Sequence, residues 1–239
     1  MLIIAVPKSA SSALIATLER IHGLPNETAQ VRRGPIRRCA LAHEYRQLER
    51  FHRHEVAELS EEVVAAVTRK TSLAKLHFPP TRNNQALLAS SPKVILLRDP
   101  EEVVHAYQRG DETGEFKLRH PRFCFCFSQA AWMHRARELG VLDELRRFVD
   151  GWRAHAGDKL LVESRELIER PAEALARIED YLGLTHSGAP ELARVRFTRG
   201  RAARRSIPRV LWSRRKLIAQ RALGALGHPR HRTPVRTRS

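Results

Sequence analysis

Five consecutive apolar residues, Leu2-Ile3-Ile4-Ala5-Val6, run without polar interruption into Pro7, and the next apolar positions, Leu14, Ile15, Leu18 and Ile21, fall at helical spacing. An apolar run with no alternation is a strand buried on both faces, which is the habit of parallel sheets. Strand, polar turn and helix together open an α/β unit. The alternation continues down the chain. A strand over Ser72–His77 is stopped by Pro79-Pro80, and a short helix over Thr81–Ala89 follows with Thr81 as its N-cap. Val94–Leu97 forms the next strand, closed by Asp99-Pro100, whose proline starts a helix over residues 100–109. Leu160–Val162 gives a further strand and Pro171–Leu182 a helix ended by Gly183. Residues 24–38 read as a loop, 43–54 and 55–69 as helical segments, 110–122 as polar and irregular, and 126–138 and 141–155 as two more helices. The expected fold class is α/β, three layers around a central, mainly parallel sheet.

The length of 239 residues suits one such domain with a tail, and 42% apolar residues can bury a sizeable core. No apolar run is long enough to span a bilayer, and Met1 leads into the first strand without a secretory leader, so a cytoplasmic location is expected. Three cysteines, Cys39, Cys124 and Cys126, do not make a disulfide framework. Cys124 and Cys126 with His52 or His54 are a weak metal pattern, since a C-x-C pair lacks a matching second pair; no metal is expected.

The net charge of +17 is informative through its location. Fifteen of the 43 Lys and Arg fall in residues 192–239, which hold no acid, and this leaves 28 bases against 26 acids in residues 1–191. The body is nearly neutral, so the high pI does not by itself imply nucleic-acid binding, and no specific nucleic acid is expected. The division is a domain over 1–200 and a basic C-terminal extension over 201–239 whose end reads as disordered. Within the extension, residues 206–226 interleave Trp212 and aliphatic residues with arginines. Such a helix either lies on an anionic membrane surface, making the protein peripheral to it, or packs on the domain with its arginines outward.

Ligands of open parallel sheets sit beyond the carboxyl ends of the strands. Three of those ends carry a base here: Lys8 after the first strand, His77 at the second and Arg98 at the third. The convergence points to an anionic ligand. The segment Pro7-Lys8-Ser9-Ala10-Ser11-Ser12 combines small residues, three hydroxyls and a lysine at a helix start, where N–H groups and the helix dipole favour a phosphate. It lacks both glycines of the Walker A pattern, which argues against a nucleoside triphosphatase.

This segment resembles the 5′-phosphosulfate loop (P-K-S-G-[ST]-[ST]) of sulfotransferases that use 3′-phosphoadenosine-5′-phosphosulfate (PAPS). Leu97-Arg98-Asp99-Pro100 with Val103-Val104 resembles that family's 3′-phosphate motif, and Lys75-Leu76-His77-Phe78-Pro79 its catalytic strand end. Leu160–Leu184 is similar to its closing strand and helix, so four motifs stand in the family's order. The resemblance implies a P-loop-like α/β domain and transfer of a sulfuryl group from PAPS to a hydroxyl or amine of a small-molecule, carbohydrate or glycolipid acceptor. It implies His77 as general base, Lys8 and Lys75 as catalytic cations, and Lys8, Ser9, Ala10, Ser11, Ser12 and Arg98 as PAPS-binding residues. Phe197-Thr198-Arg199-Gly200 faintly resembles a late segment that caps the 3′-phosphate, which adds Arg199. His77 is expected to titrate near neutrality. Ala10 stands where the family has glycine, so negative φ is expected there. Ala13, Ala106 and Ser164 also depart from the family's pattern, Ala106 replacing a 3′-phosphate serine for which His105 or Tyr107 would compensate. Two alternatives stay open: a PAPS-binding relative that has lost catalysis, and a nucleic-acid- or membrane-binding protein acting through its basic tail. Lys117, Arg119, His120 and Arg122 mark residues 110–126 as the acceptor-facing segment.

Overall fold

The computed structural model describes residues 1–51, 56–110, 121–123, 126–188 and 191–193. Four strands form one sheet: β1 (Leu2–Ala5), β2 (Ala74–Leu76), β3 (Lys93–Leu97) and β4 (Leu160–Glu163), in the order β2-β1-β3-β4. Every pairing is parallel; Ile3 of β1 lies between Lys75 of β2 and Val94 of β3, and Leu96 pairs with Val162 of β4. The architecture is therefore α/β with a central parallel sheet.

Alternation along the strands divides two cores. Leu2, Ile4, Val6, Leu76, Ile95 and Leu97 face one layer, and Ile3, Ala5, Val94 and Leu96 face the other. The first layer holds α2 (Thr28–Arg33), α3 (Arg46–Phe51), α4 (Glu61–Val67), α6 (Pro100–Gly110), α7 (Gln129–Glu138) and α8 (Val141–Ala154). The second holds α1 (Ser11–His22), α9 (Ser164–Glu169) and α10 (Pro171–Leu182). Burial on both faces is why Leu2–Ala5 and Val94–Leu97 read as unbroken apolar runs, while Lys93 at the start of β3 is buried with Nζ donating to the carbonyls of Leu88, Ser91 and Asp158.

Local signals set several boundaries. Thr81 Oγ1 accepts from Asn84 N and starts α5 (Arg82–Leu87), as its sequence position predicts. Asp99 Oδ1 accepts from Glu101 N and Glu102 N, capping α6 behind Pro100. The expected loop over 24–38 is instead partly helical, with α2 followed by a 3₁₀ turn over Pro35–Arg38. Its six residues carry Val31 as the one large apolar side chain, too few for a periodicity, and Asn26 Oδ1 accepting from Thr28 N tightens its start. The expected helix over 55–69 is α4 alone, begun by Ser60 Oγ accepting from Val63 N. Among the described residues no helix is long and apolar enough to cross a membrane. The extension 201–239, with the basic stretch 206–226, lies outside them, as do Arg199 and most of the expected acceptor-facing segment.

Candidate functional site at the carboxyl edge of the sheet

The first crossover carries the chain from β1 to β2 on one side, and β3 then returns to the other side of β1. This reversal makes the carboxyl ends of β1 and β3 the switch point at which parallel sheets open a crevice. The β1–α1 loop occupies that place. Val6 N donates to Leu96 O at 2.9 Å, so the loop leaves β1 still tied to β3.

Two non-glycine residues of the loop are left-handed, Lys8 at φ 62° and Ala10 at φ 63°. The expectation of negative φ at Ala10 is thus wrong: the chain makes its turn from strand to helix at this residue. A Cβ in that conformation costs about 1–2 kcal/mol. Strain of this kind is held by surrounding structure and gathers at functional loops. Between the two lies Ser9, fully buried, with a hydroxyl that meets no hydrogen-bond partner. Ser11 is buried in the first turn of α1, Ser12 half-buried beside it, and Ala10 offers no side-chain cap to that helix. The first N–H groups of an α-helix have no partner within the helix. Loop and helix start thus present donors with no acceptor side chain of their own.

Lys8 is exposed, with Nζ 5.1 Å from the centroid of the Tyr107 ring. Partial burial, then the neighbouring Arg98 guanidinium, holds its pKa below the usual lysine value. Arg98 braces the loop: Nη1 donates to the Lys8 carbonyl, and Nε donates to Glu102 Oε2 at 3.2 Å. Asp99 caps α6 and makes no ion pair with Arg98 in this arrangement. Of the two neighbours of Ala106, Tyr107 reaches the loop through Lys8, whereas His105 turns to Gln129 of α7 at 2.9 Å.

His77 is buried next to β1. Its Nδ1–H donates to the Ala5 carbonyl, which places the ring lone pair on Nε2. Burial first, then the positive fields of Lys75 and Arg32, push its pKa well below the ordinary histidine value, while the Ala5 bond opposes them. The expectation of titration near neutrality is corrected: the imidazole is neutral at pH 7. Lys75, two residues earlier and on the same side of β2, is fixed by its backbone N donating to Thr28 Oγ1 at 2.9 Å. Its side chain lines a cleft of about 380 Å³ between α1 and α2, shared with Ser12, Glu19 and Arg32.

The structure therefore gathers Lys8, Ser9, Ala10, Ser11, Ser12, Arg98 and His77 at one edge of the sheet, with Lys75 entering from the α1–α2 side. Arg32 and Thr28 are not legible as site residues in the sequence. Both lie on α2, a segment that reads as loop; the Asn26-x-Thr28 turn is its available signal. Among the described residues no group of three or more His, Cys, Asp or Glu could hold a metal ion. Cys124, His52 and His54 lie outside the described residues.

Fold and site together define a three-layer α/β protein with a basic, strained loop at the switch point of a parallel sheet. No family model matches the sequence. No curated protein matches it either. Among solved structures, a sulfotransferase from Alicyclobacillus acidocaldarius aligns over 86% of this chain and 88% of its own, at 12% identity and a TM-score of 0.44. At that level of likeness neither activity nor site residues pass from one chain to the other.

Proposed function

We propose that the protein is a sulfotransferase that moves a sulfuryl group from PAPS to a hydroxyl or amine of a small-molecule, carbohydrate or glycolipid acceptor. The observation that carries this reading is the β1–α1 loop, where two left-handed residues enclose the buried, unpartnered Ser9 hydroxyl beside Lys8 and a helix start. A donor set without an acceptor fits an anion, and the four motifs in the sequence specify which one. Residues 9–12 with Lys8 would hold the 5′-phosphosulfate and Arg98 the 3′-phosphate, joined by Arg199 from outside the described residues. PAPS, when bound, supplies the sulfuryl group and departs as adenosine 3′,5′-bisphosphate. His77 takes the acceptor's hydroxyl proton at Nε2, a role its neutral state permits at pH 7. The Ala5 carbonyl holds the tautomer that leaves the lone pair on this nitrogen. Lys8 and Lys75 place positive charge where negative charge grows on the oxygens in flight.

The test is calorimetry with adenosine 3′,5′-bisphosphate. Lys8→Ala and Arg98→Ala each remove a charge-assisted contact of about 1.5–3 kcal/mol, so each should raise Kd about 10- to 150-fold. A folded parent that does not bind the nucleotide, or two variants that bind it as the parent does, would overturn the assignment.

A further inference from the structure

The cleft between α1 and α2 has a defined shape and an asymmetric charge. Ser12, Ile15 and Glu19 lie at i, i+3 and i+7 on α1, one face of a helix, opposite Arg32 of α2 and with Lys75 of β2 at its side. Glu19, seven residues on, stands about 10 Å along the helix axis from Ser12 and the loop. The acid therefore marks the end of the cleft away from the loop. Lys75 and His77 stand two residues apart and so point to the same face of the sheet, which sets the cleft beside the proposed base. Lys75 has a use there in sulfuryl transfer, whereas nothing in that reaction calls for a second cation from α2. At about 380 Å³ the cleft is near the lower bound of small-molecule sites, ~300–1,000 Å³, and has room for one ring. Ile15 offers that ring an apolar wall.

We infer that this cleft is the acceptor pocket, that its acceptor is a compact hydroxylated ring bearing a carboxylate or similar anionic group, and that Arg32 positions it by that group with the hydroxyl toward His77. The inference rests on the sulfotransferase reading and narrows its acceptor range to those whose reacting ring bears an anionic group. An anionic group on a neutral ring gains a charge-assisted bond to a guanidinium, a contact that a neutral phenol of the same size cannot make. Discrimination between the two is thus a property of Arg32.

The experiment uses the full chain saturated with adenosine 3′,5′-bisphosphate and titrated with two probes of like size, 4-hydroxybenzoate and 4-methylphenol. The parent is expected to bind 4-hydroxybenzoate at least about tenfold more tightly, the size of one charged contact. Arg32→Gln should erase that preference while leaving 4-methylphenol and the nucleotide bound as before, and Arg32→Lys should restore part of it. Equal binding of the two probes by the parent, binding of neither, or a preference that survives in Arg32→Gln overturns the inference. The comparison on the parent needs no variant and stands even if Arg32→Gln does not fold. Nucleotide binding without anion preference sinks this inference alone; absence of nucleotide binding sinks the sulfotransferase reading with it.

Discussion

His77 couples the site's chemistry to its stability. In the unfolded chain the imidazole titrates at about 6.5. In the folded protein burial and the Lys75 and Arg32 charges hold it well below that. Between the two values the unfolded state binds the proton and the folded state does not. This group's contribution to stability is therefore fully present above about pH 6.5 and is lost as pH falls toward the folded pKa. Denaturant unfolding across pH 5–8 should show that decline on the acid side, and His77→Asn should flatten it. Turnover governed by His77 should likewise be level from pH 6.5 upward and fall only on the acid side. Removal of the base in His77→Ala should lower turnover about 10²–10⁴-fold with nucleotide affinity unchanged. Parental single-turnover rates in His77→Ala would make the residue structural. Its candidacy is legible from a strand end that stands among the family-like motifs; its protonation state is not, because that follows from burial and from the Lys75 and Arg32 charges, which only the packed fold brings to bear on it.

At the scale of elements, α8 holds the segment that follows β2. Trp152 Nε1 donates to Phe78 O at 2.9 Å, and Gln85 Nε2 of α5 donates to Gly151 O at 2.7 Å. Gly151 stands against Pro80: a Cβ there would lie 2.6 Å from Pro80 Cγ and 2.9 Å from its Cβ, both part of a rigid ring. Alanine gains about 1 kcal/mol in helix propensity over glycine, but overpacking costs about 1–3 kcal/mol, and here it displaces the chain beside the base. Gly151→Ala should therefore unfold at lower denaturant concentration and lose turnover, whereas a surface helix would be stabilised by the same change. A more stable, fully active variant would show that the α8–Pro80 contact does not position His77. The helix itself was readable from its periodicity. Its need for glycine came only from what it packs against.

For the whole molecule, the strand order places the bases that end β1, β2 and β3 along one edge, where a nucleotide would bridge several elements at once. A ligand bound only by the folded state adds about 2.7 kcal/mol at a hundredfold excess over Kd. In a protein of this size that corresponds to a rise in Tm of about 5–10 °C. Thermal melts with adenosine 3′,5′-bisphosphate should show it, with a smaller shift in Lys8→Ala and Arg98→Ala. Deleting residues 201–239 should leave the shift intact if the extension only adds surface affinity. A truncated chain with no shift would place the extension within the nucleotide site. Melts that do not move in the full chain would contradict nucleotide binding.

The sequence by itself determined the layer architecture, because strands buried on both faces are made of apolar runs, and Leu2–Ala5 and Val94–Leu97 are such runs. It also determined which strand ends carry Lys8, His77 and Arg98, since a base directly after an apolar run can only lie at the mouth of the sheet. Tertiary structure alone decided the rest. The order β2-β1-β3-β4 sets Lys8 beside Arg98 and His77 beside Ala5, and pairing between segments about seventy to ninety residues apart leaves no trace in local pattern. The left-handed Ala10 is likewise imposed from outside, by the fixed positions of β1 and α1 that its turn must join, against the preference of its own side chain.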